Sequence, residues 1–212
     1  MEITPARIPV DGFTLEGAVH APAEGEAVPV VVLCHPHPQY GGDMDNNVVV
    51  AARRGLVEAG FGAVAFNFRG VGASGGAYGG GIGEREDVTA AVRFAATREQ
   101  FDPARIGLMG YSFGAGVAAA AAAGGLEVRA LALVSPAIRD DTLLGHLAAL
   151  AIPVLVLVGS EDAASPDERV AELAALDHVE ARVVPGVDHF WWGQEGTIAE
   201  AVRTFFARHL VR

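Results

Sequence analysis

Six short apolar runs, each closed by Gly, Pro or Ser, alternate with alanine-rich stretches of helical spacing, and this alternation limits the fold more than any other feature. The runs are 28–36, 62–70, 105–112, 128–136, 153–160 and 179–186. Four are nearly continuous Val, Leu, Ile and Ala, the pattern of parallel strands covered on both faces. Residues 45–59, 84–99, 113–123, 141–150, 166–176 and 195–209 carry helical spacing. Such alternation predicts an α/β fold: a mostly parallel sheet with helices on both sides. Ahead of it, "ARIPV" and "TLEGAVH" flank "DGF" and predict an antiparallel pair at one edge. No linker or repeat interrupts the pattern, so residues 1–212 read as one domain, long enough to bury roughly 70% of its unfolded surface. In a sheet of this kind ligands bind beyond the carboxyl ends of the strands. Every chemical motif should therefore lie where a strand ends.

"GYSFG", Gly110 to Gly114, meets that condition, falling between the run "RIGLM" and the helical stretch "GAGVAAAAAA". A serine hydroxyl is a poor nucleophile unless it is held exposed beside a base and an anion-stabilising pocket. A sharp strand-to-helix turn holds it so, with Gly110 and Gly114 leaving room where a Cβ would clash. Ser112 is the candidate nucleophile. Taken alone the motif is more often a packed turn; its strand–turn–helix setting favours chemistry.

A serine nucleophile needs an acid and a base on later strand-end loops, in that order. Asp162 follows the run 153–160, and His189 follows the run 179–186. His189 would take the serine proton, while Asp162 fixes its tautomer and stabilises the imidazolium. Glu161, Asp140, Asp141 and Asp188 compete for the role of the acid. His20, His146, His178 and His209 read as surface or packing residues.

With "GYSFG", "VGSED", "GVDHF" and the glycine-rich "NFRGVGASGG", the chain resembles the α/β-hydrolase superfamily over nearly its whole length. "HPHPQYGGDMDN" is similar to a group of small bacterial hydrolases near the dienelactone-hydrolase type. Those dienelactone hydrolases use a cysteine nucleophile, whereas this chain has Ser112. Only "AIRDDTLLGHLAALAI" lies between Pro136 and Pro153, too little for a large cap, which implies an open site suited to small or accessible esters. The resemblance thus implies a serine hydrolase acting on a small-molecule carboxylic ester through an acyl-enzyme. Thioesterase, peptidase, acyltransferase and catalytically silent binding protein are the alternatives.

The stretch from His35 to Asn47 admits two readings. His35, His37, Asp43 and Asp45 form a row of potential metal ligands. The same stretch also follows the first parallel strand, where this fold draws one backbone N–H of its oxyanion hole. Pro36 and Pro38 lack an N–H, leaving His37 as that donor, with Phe113 supplying the second. Vicinal prolines hinder two His side chains from meeting on one ion, so the backbone reading is preferred and no metal is expected. His35 then braces the loop, and Asp43 or Asp45 caps the next helix, with Asn46 and Asn47 in its first turn.

Weaker signals remain. Tyr40, Trp191 and Trp192 are candidates for a substrate pocket, although aromatics near a chain end also pack beneath a last helix. "GVGASG" matches a dinucleotide-binding pattern formally, but no helix starts inside it; it reads as a flexible loop over the site, and no cofactor is implied. Cys34 reads as core. All fifteen basic residues are arginine, scattered in a chain of net charge −11, which argues against nucleic acid as a partner. No apolar run is long enough for a membrane span and no secretory signal is present, so a cytoplasmic location is expected. Oligomeric state is not encoded in any feature of the sequence.

Overall fold

A computed structural model describes residues 2–22 and 25–211. Its strands are β1 (Glu2–Val10), β2 (Phe13–Ala21), β3 (Val28–Cys34), β4 (Gly62–Phe66), β5 (Phe101–Tyr111), β6 (Ala130–Val134), β7 (Val154–Gly159) and β8 (Val179–Val184). They form one eight-stranded sheet in the order β1-β2-β4-β3-β5-β6-β7-β8. β1 pairs antiparallel with β2, and β2 antiparallel with β4. From β4 onward every pairing is parallel. The expected edge pair and parallel sheet are both present.

Six helices cover the sheet: α1 (Asn47–Glu58), α2 (Glu84–Ala96), α3 (Phe113–Ala123), α4 (Thr142–Ala148), α5 (Asp167–Ala174) and α6 (Glu195–Leu210). Side chains along a strand alternate between faces, and here both faces are apolar. In β3, Val30, Val32 and Cys34 belong to the core layer beneath α2 and α3, which continues under α4 and α5. Val31 and Leu33 of the same strand pack with α1 and α6. That two-sided burial explains why the central strands are unbroken apolar runs rather than alternating ones. Cys34 is fully buried, and burial together with the charge of Asp87 raises its thiol pKa, so it is core and no nucleophile.

Two local expectations differ from the structure. The cap of α1 is Asn46, whose Oδ1 accepts the Val48 N–H at 3.0 Å. Asp43 instead closes its own turn on the Asp45 N–H at 3.0 Å, because that turn ends before the helical dihedrals begin. The glycine-rich segment after β4 is also tied down. Glu16 accepts the Ala73 N–H and the Asn67 amide, both at 2.8 Å, and Arg69 clasps the buried Asp87 on α2. The buried Glu84 carboxylate takes the Gly79 and Gly81 N–H groups at 2.7 Å each.

Candidate active site

Ser112 sits between β5 and α3 with φ 53° and ψ −114°. Left-handed backbone is costly for any residue with a Cβ and persists only where its surroundings enforce it. Two contacts enforce it here. The Ser112 N–H donates to Val134 O on β6 at 2.9 Å, and the turn is packed too tightly to relax. A Cβ on Gly110 would lie 2.3 Å from Gly114 O, and one on Gly114 would lie 2.4 Å from His35 O. The glycine spacing is therefore a packing requirement.

The loops after β7 and β8 meet this turn. His189 Nε2 lies 3.0 Å from Ser112 Oγ, and its Nδ1 lies 2.9 and 3.0 Å from the two Asp162 oxygens. A carboxylate only accepts, so Nδ1 carries the proton and Nε2 accepts from the serine hydroxyl. The two loops touch backbone to backbone: a Cβ on Gly159 would fall 2.0 Å from Val187 O. Tyr111 Oη donates to His189 O at 2.8 Å, and Asn47 Nδ2 donates to Phe190 O at 3.0 Å, fixing the histidine loop from two sides. Burial pushes the Asp162 carboxyl pKa up, but hydrogen bonds from His189, Ser135 and the Ala164 N–H outweigh it and hold the pKa below the ordinary value.

The competing acids are occupied elsewhere. Asp188 accepts the Phe190 N–H at 2.9 Å, Asp140 the Thr142 N–H at 2.9 Å, and Asp141 pairs with Arg169 at 2.7 Å. Glu161 is exposed.

A supporting pair was not legible in the sequence. Trp191, fully buried, donates its indole N–H to Ser135 Oγ at 2.8 Å, and the Ser135 hydroxyl bonds the Asp162 carboxylate. Ser135 has φ 44° and Trp191 φ 61°; with Ser112 they are the three non-glycine residues of positive φ among those described. All strained positions thus belong to one hydrogen-bonded group. The only hint in the sequence was a serine at the carboxyl end of β6.

The stretch after β3 is a braced loop. His35, fully buried, accepts the Phe68 N–H at Nε2 (2.9 Å) and donates from Nδ1 to Pro36 O (2.6 Å). Both nitrogens are committed, and burial lowers its pKa to about 4. His37 Nδ1 accepts the Gln39 N–H at 3.2 Å, capping a short 3₁₀ turn over Pro38–Tyr40. The metal reading therefore loses His35, and its four residues form no ligand group. His37 O accepts the Tyr40 and Gly42 N–H groups, each at 3.1 Å, while its own N–H has no partner among the described residues. Phe113, as first residue of α3, likewise has an N–H with no partner inside its helix. The His37 ring, expected to be optional, packs against Tyr40, Tyr78 and Phe113 at centroid distances of 4.6, 5.3 and 4.8 Å.

Ser112, His189, His37 and Phe113 open into one cavity of about 600 Å³. Tyr40 lines its rim as expected and is 86% exposed. The other two pocket candidates are corrected. Trp191 is core beneath α6, its ring buried among Ile198, Val202 and Phe205 and its indole N–H bonded to Ser135. Trp192 points to solvent, 73% exposed, and lies off the cavity. His146, expected on the surface or in packing, lines the cavity from α4. No large cap covers it: β6 and β7 are joined through α4 alone. No helix of the described residues is long and apolar enough to cross a membrane.

The family model described as X-Pro dipeptidyl-peptidase (S15 family) matches residues 11–145. Among solved structures, an alpha-beta serine hydrolase homologue from Coxiella burnetii is 33% identical, covering 95% of this chain and 96% of its own, with a TM-score of 0.84. A serine hydrolase without lid from Xanthomonas campestris is 31% identical over 98% of this chain and 94% of its own, with a TM-score of 0.83. An uncharacterized protein of Rickettsia prowazekii is 28% identical over 195 residues, 88% of this chain and 82% of that protein.

Proposed function

The chain belongs to the S15 peptidase-type family of α/β hydrolases, and we propose that it is a serine hydrolase that cleaves a small carboxylic ester. The observation that carries this reading is the continuous hydrogen-bonded line from Ser112 Oγ through His189 to Asp162. In the first half-reaction Ser112 Oγ attacks the ester carbonyl carbon and its proton passes to His189 Nε2. The bond to the alcohol oxygen then breaks as the imidazolium returns that proton to the leaving group. In the second half, His189 takes a proton from water, the hydroxide attacks the acyl carbon, and the acid leaves as Ser112 recovers its proton. Asp162 stabilises the imidazolium in both halves.

The oxyanion is held by the His37 and Phe113 N–H groups. Support comes from their freedom from internal partners and from the His37 carbonyl, pinned by Tyr40 and Gly42. A Cβ on Gly42 would lie 2.3 Å from Pro36 O, so the loop is tightly closed on itself. Such preorganisation puts the dipoles in place before charge develops, each donor being worth about 10²–10³ in rate.

Ester is favoured over peptide on the sign of the cavity's charge. A dipeptidyl-peptidase must hold a free ammonium terminus, which calls for carboxylates near the serine. Among the described residues, Asp140 is the single carboxylate lining this cavity, against two arginines, and its Oδ1 is engaged by Thr142. The test is turnover of 4-nitrophenyl esters graded in acyl length, beside an X-Pro 4-nitroanilide. The reading expects ester hydrolysis that disappears in Ser112→Ala. Turnover of the anilide alone, or ester turnover surviving in Ser112→Ala, would overturn it.

A further inference from the structure

We propose that Arg85 and Arg139 form an anion subsite in the Ser112 cavity, so that the ester accepted there carries a carboxylate or similar anion on the part it places between α2 and α4. This rests on the serine-hydrolase reading above and narrows its substrate class.

The argument begins with charge balance. The chain has 26 acidic residues and 15 arginines, so carboxylates are plentiful; what sets Arg85 and Arg139 apart from the other arginines without an ion pair is that they line the Ser112 cavity. Among the described residues, eight arginines pair with carboxylates. Arg85 and Arg139 pair with none, although carboxylates adjoin both in sequence. Each of those neighbours is held away by another bond. Glu84 is turned inward onto the Gly79 and Gly81 N–H groups, and Glu86 is drawn to Arg69 at 3.1 Å. Asp140 is turned back to the Thr142 N–H, and Asp141 is taken by Arg169. Two guanidinium groups are thereby left unneutralised, and both line the cavity that contains Ser112.

Their fields reach the cavity's other titratable groups. Burial, then the charge of Arg85, lowers the pKa of His146; burial, then the charge of Arg139, lowers that of His37. The cavity lining carries two guanidinium groups against one carboxylate, Asp140, within a protein of net −11. A guanidinium offers a planar fork of N–H donors that matches a carboxylate bidentately, the natural complement for such a site. Arg85 enters from the first turn of α2 and Arg139 from the β6–α4 connection, so the anion would be gripped from two elements.

The test compares 4-nitrophenyl hydrogen glutarate with its neutral methyl ester, subtracting spontaneous hydrolysis. The wild-type protein should favour the anionic ester by about tenfold or more in kcat/KM, with the ratio shrinking in 1 M NaCl. The ratio should fall in Arg85→Gln and in Arg139→Gln, and approach one in the double variant. A wild-type ratio of one or below, or a ratio that survives the double substitution, would overturn the subsite. A binding measurement separates this from failure of the catalytic reading. Ser112→Ala protein, titrated calorimetrically, should bind monomethyl glutarate more tightly than dimethyl glutarate and lose that preference in Arg85→Gln/Arg139→Gln. Equal binding of the two would sink the subsite even if ester turnover is present; absent turnover with intact preference would sink only the serine chemistry.

Discussion

The indole N–H of Trp191 reaches the hydroxyl of Ser135 at 2.8 Å, and that hydroxyl bonds Asp162. An aromatic residue two places after His189 is thereby linked back, through the end of β6, to the carboxylate that orients the same histidine. Both residues hold left-handed backbone, at φ 61° and 44°. Backbone strain of this kind costs on the order of 1–3 kcal/mol per residue and is retained where geometry is over-determined.

Ser135 is outside the cavity lining, so its loss should act through Asp162 and not through substrate contact. Ser135→Ala should lower kcat about tenfold, the scale of one hydrogen bond to a charged group, with KM little changed. Ser135→Gly suits the positive φ better and separates strain from the hydroxyl. Steady-state kinetics should show the same kcat loss in both variants; full activity in Ser135→Gly would mean that the hydroxyl positions nothing. Trp191→Phe should show a smaller loss in the same assay.

Gly159 lets the loops of Asp162 and His189 touch. Gly159→Ala places a Cβ 2.0 Å from Val187 O and must separate the loops, costing about 2–3 kcal/mol of stability. Thermal unfolding should show a lower Tm, and kcat should fall with it. Gly196→Ala, where a Cβ meets nothing within 4 Å, is the control and should leave Tm unchanged or slightly raised. Equal effects of the two substitutions would contradict the close approach.

His37 serves through its backbone first and its ring second. His37→Ala should lose the contacts with Tyr78 and Phe113 and raise KM, with kcat falling by roughly tenfold or less. Ser112→Ala should cost on the order of 10⁴–10⁶ in kcat. The reverse ranking in a direct comparison of the two variants would return attention to the His37 imidazole.

His20 and His35 are buried neutral, each with its pKa lowered to about 4 chiefly by burial. Below pH 6.5 the unfolded chain binds protons at these residues while the folded protein does not, down to about pH 4. Stability should therefore be level above pH 6.5 and fall as pH drops from 6.5 to 4, by about 3 kcal/mol from His35 alone. Urea midpoints at pH 7.5, 5.5 and 4.5 measure this. His35→Gln, which can still accept the Phe68 N–H but does not titrate, should flatten the profile. A wild-type midpoint constant down to pH 4.5 would contradict neutral burial.

The positions of the strands, and of Ser112, Asp162 and His189 at their carboxyl ends, were legible because they follow from periodicity and spacing, which are local. What was hidden depends on backbone dihedrals or on distant partners. Trp191 and Trp192 are adjacent and chemically alike, yet one is core and the other solvent-exposed; Trp191 has a distant partner in Ser135, 56 residues away in sequence. Asn46 caps α1 although Asp43 and Asp45 have equal capping ability, because the choice depends on where the preceding turn ends. The glycine-rich segment after β4 looked mobile from composition, but the carboxylates of Glu16, Glu84 and Asp87 that anchor it come from other elements. Likewise, Arg85 and Arg139 look ordinary in sequence and acquire meaning only when their neighbouring acids are seen to be engaged.

The most direct test of the account is covalent labelling with a fluorophosphonate, read by intact mass and peptide mapping. The wild-type protein should gain a single adduct, on Ser112, that is absent in Ser112→Ala and much slower to form in Asp162→Asn. Folded wild-type protein that gains no adduct, or a Ser112→Ala variant that still gains one, would contradict the assignment of Ser112, His189 and Asp162 as a working hydrolytic centre.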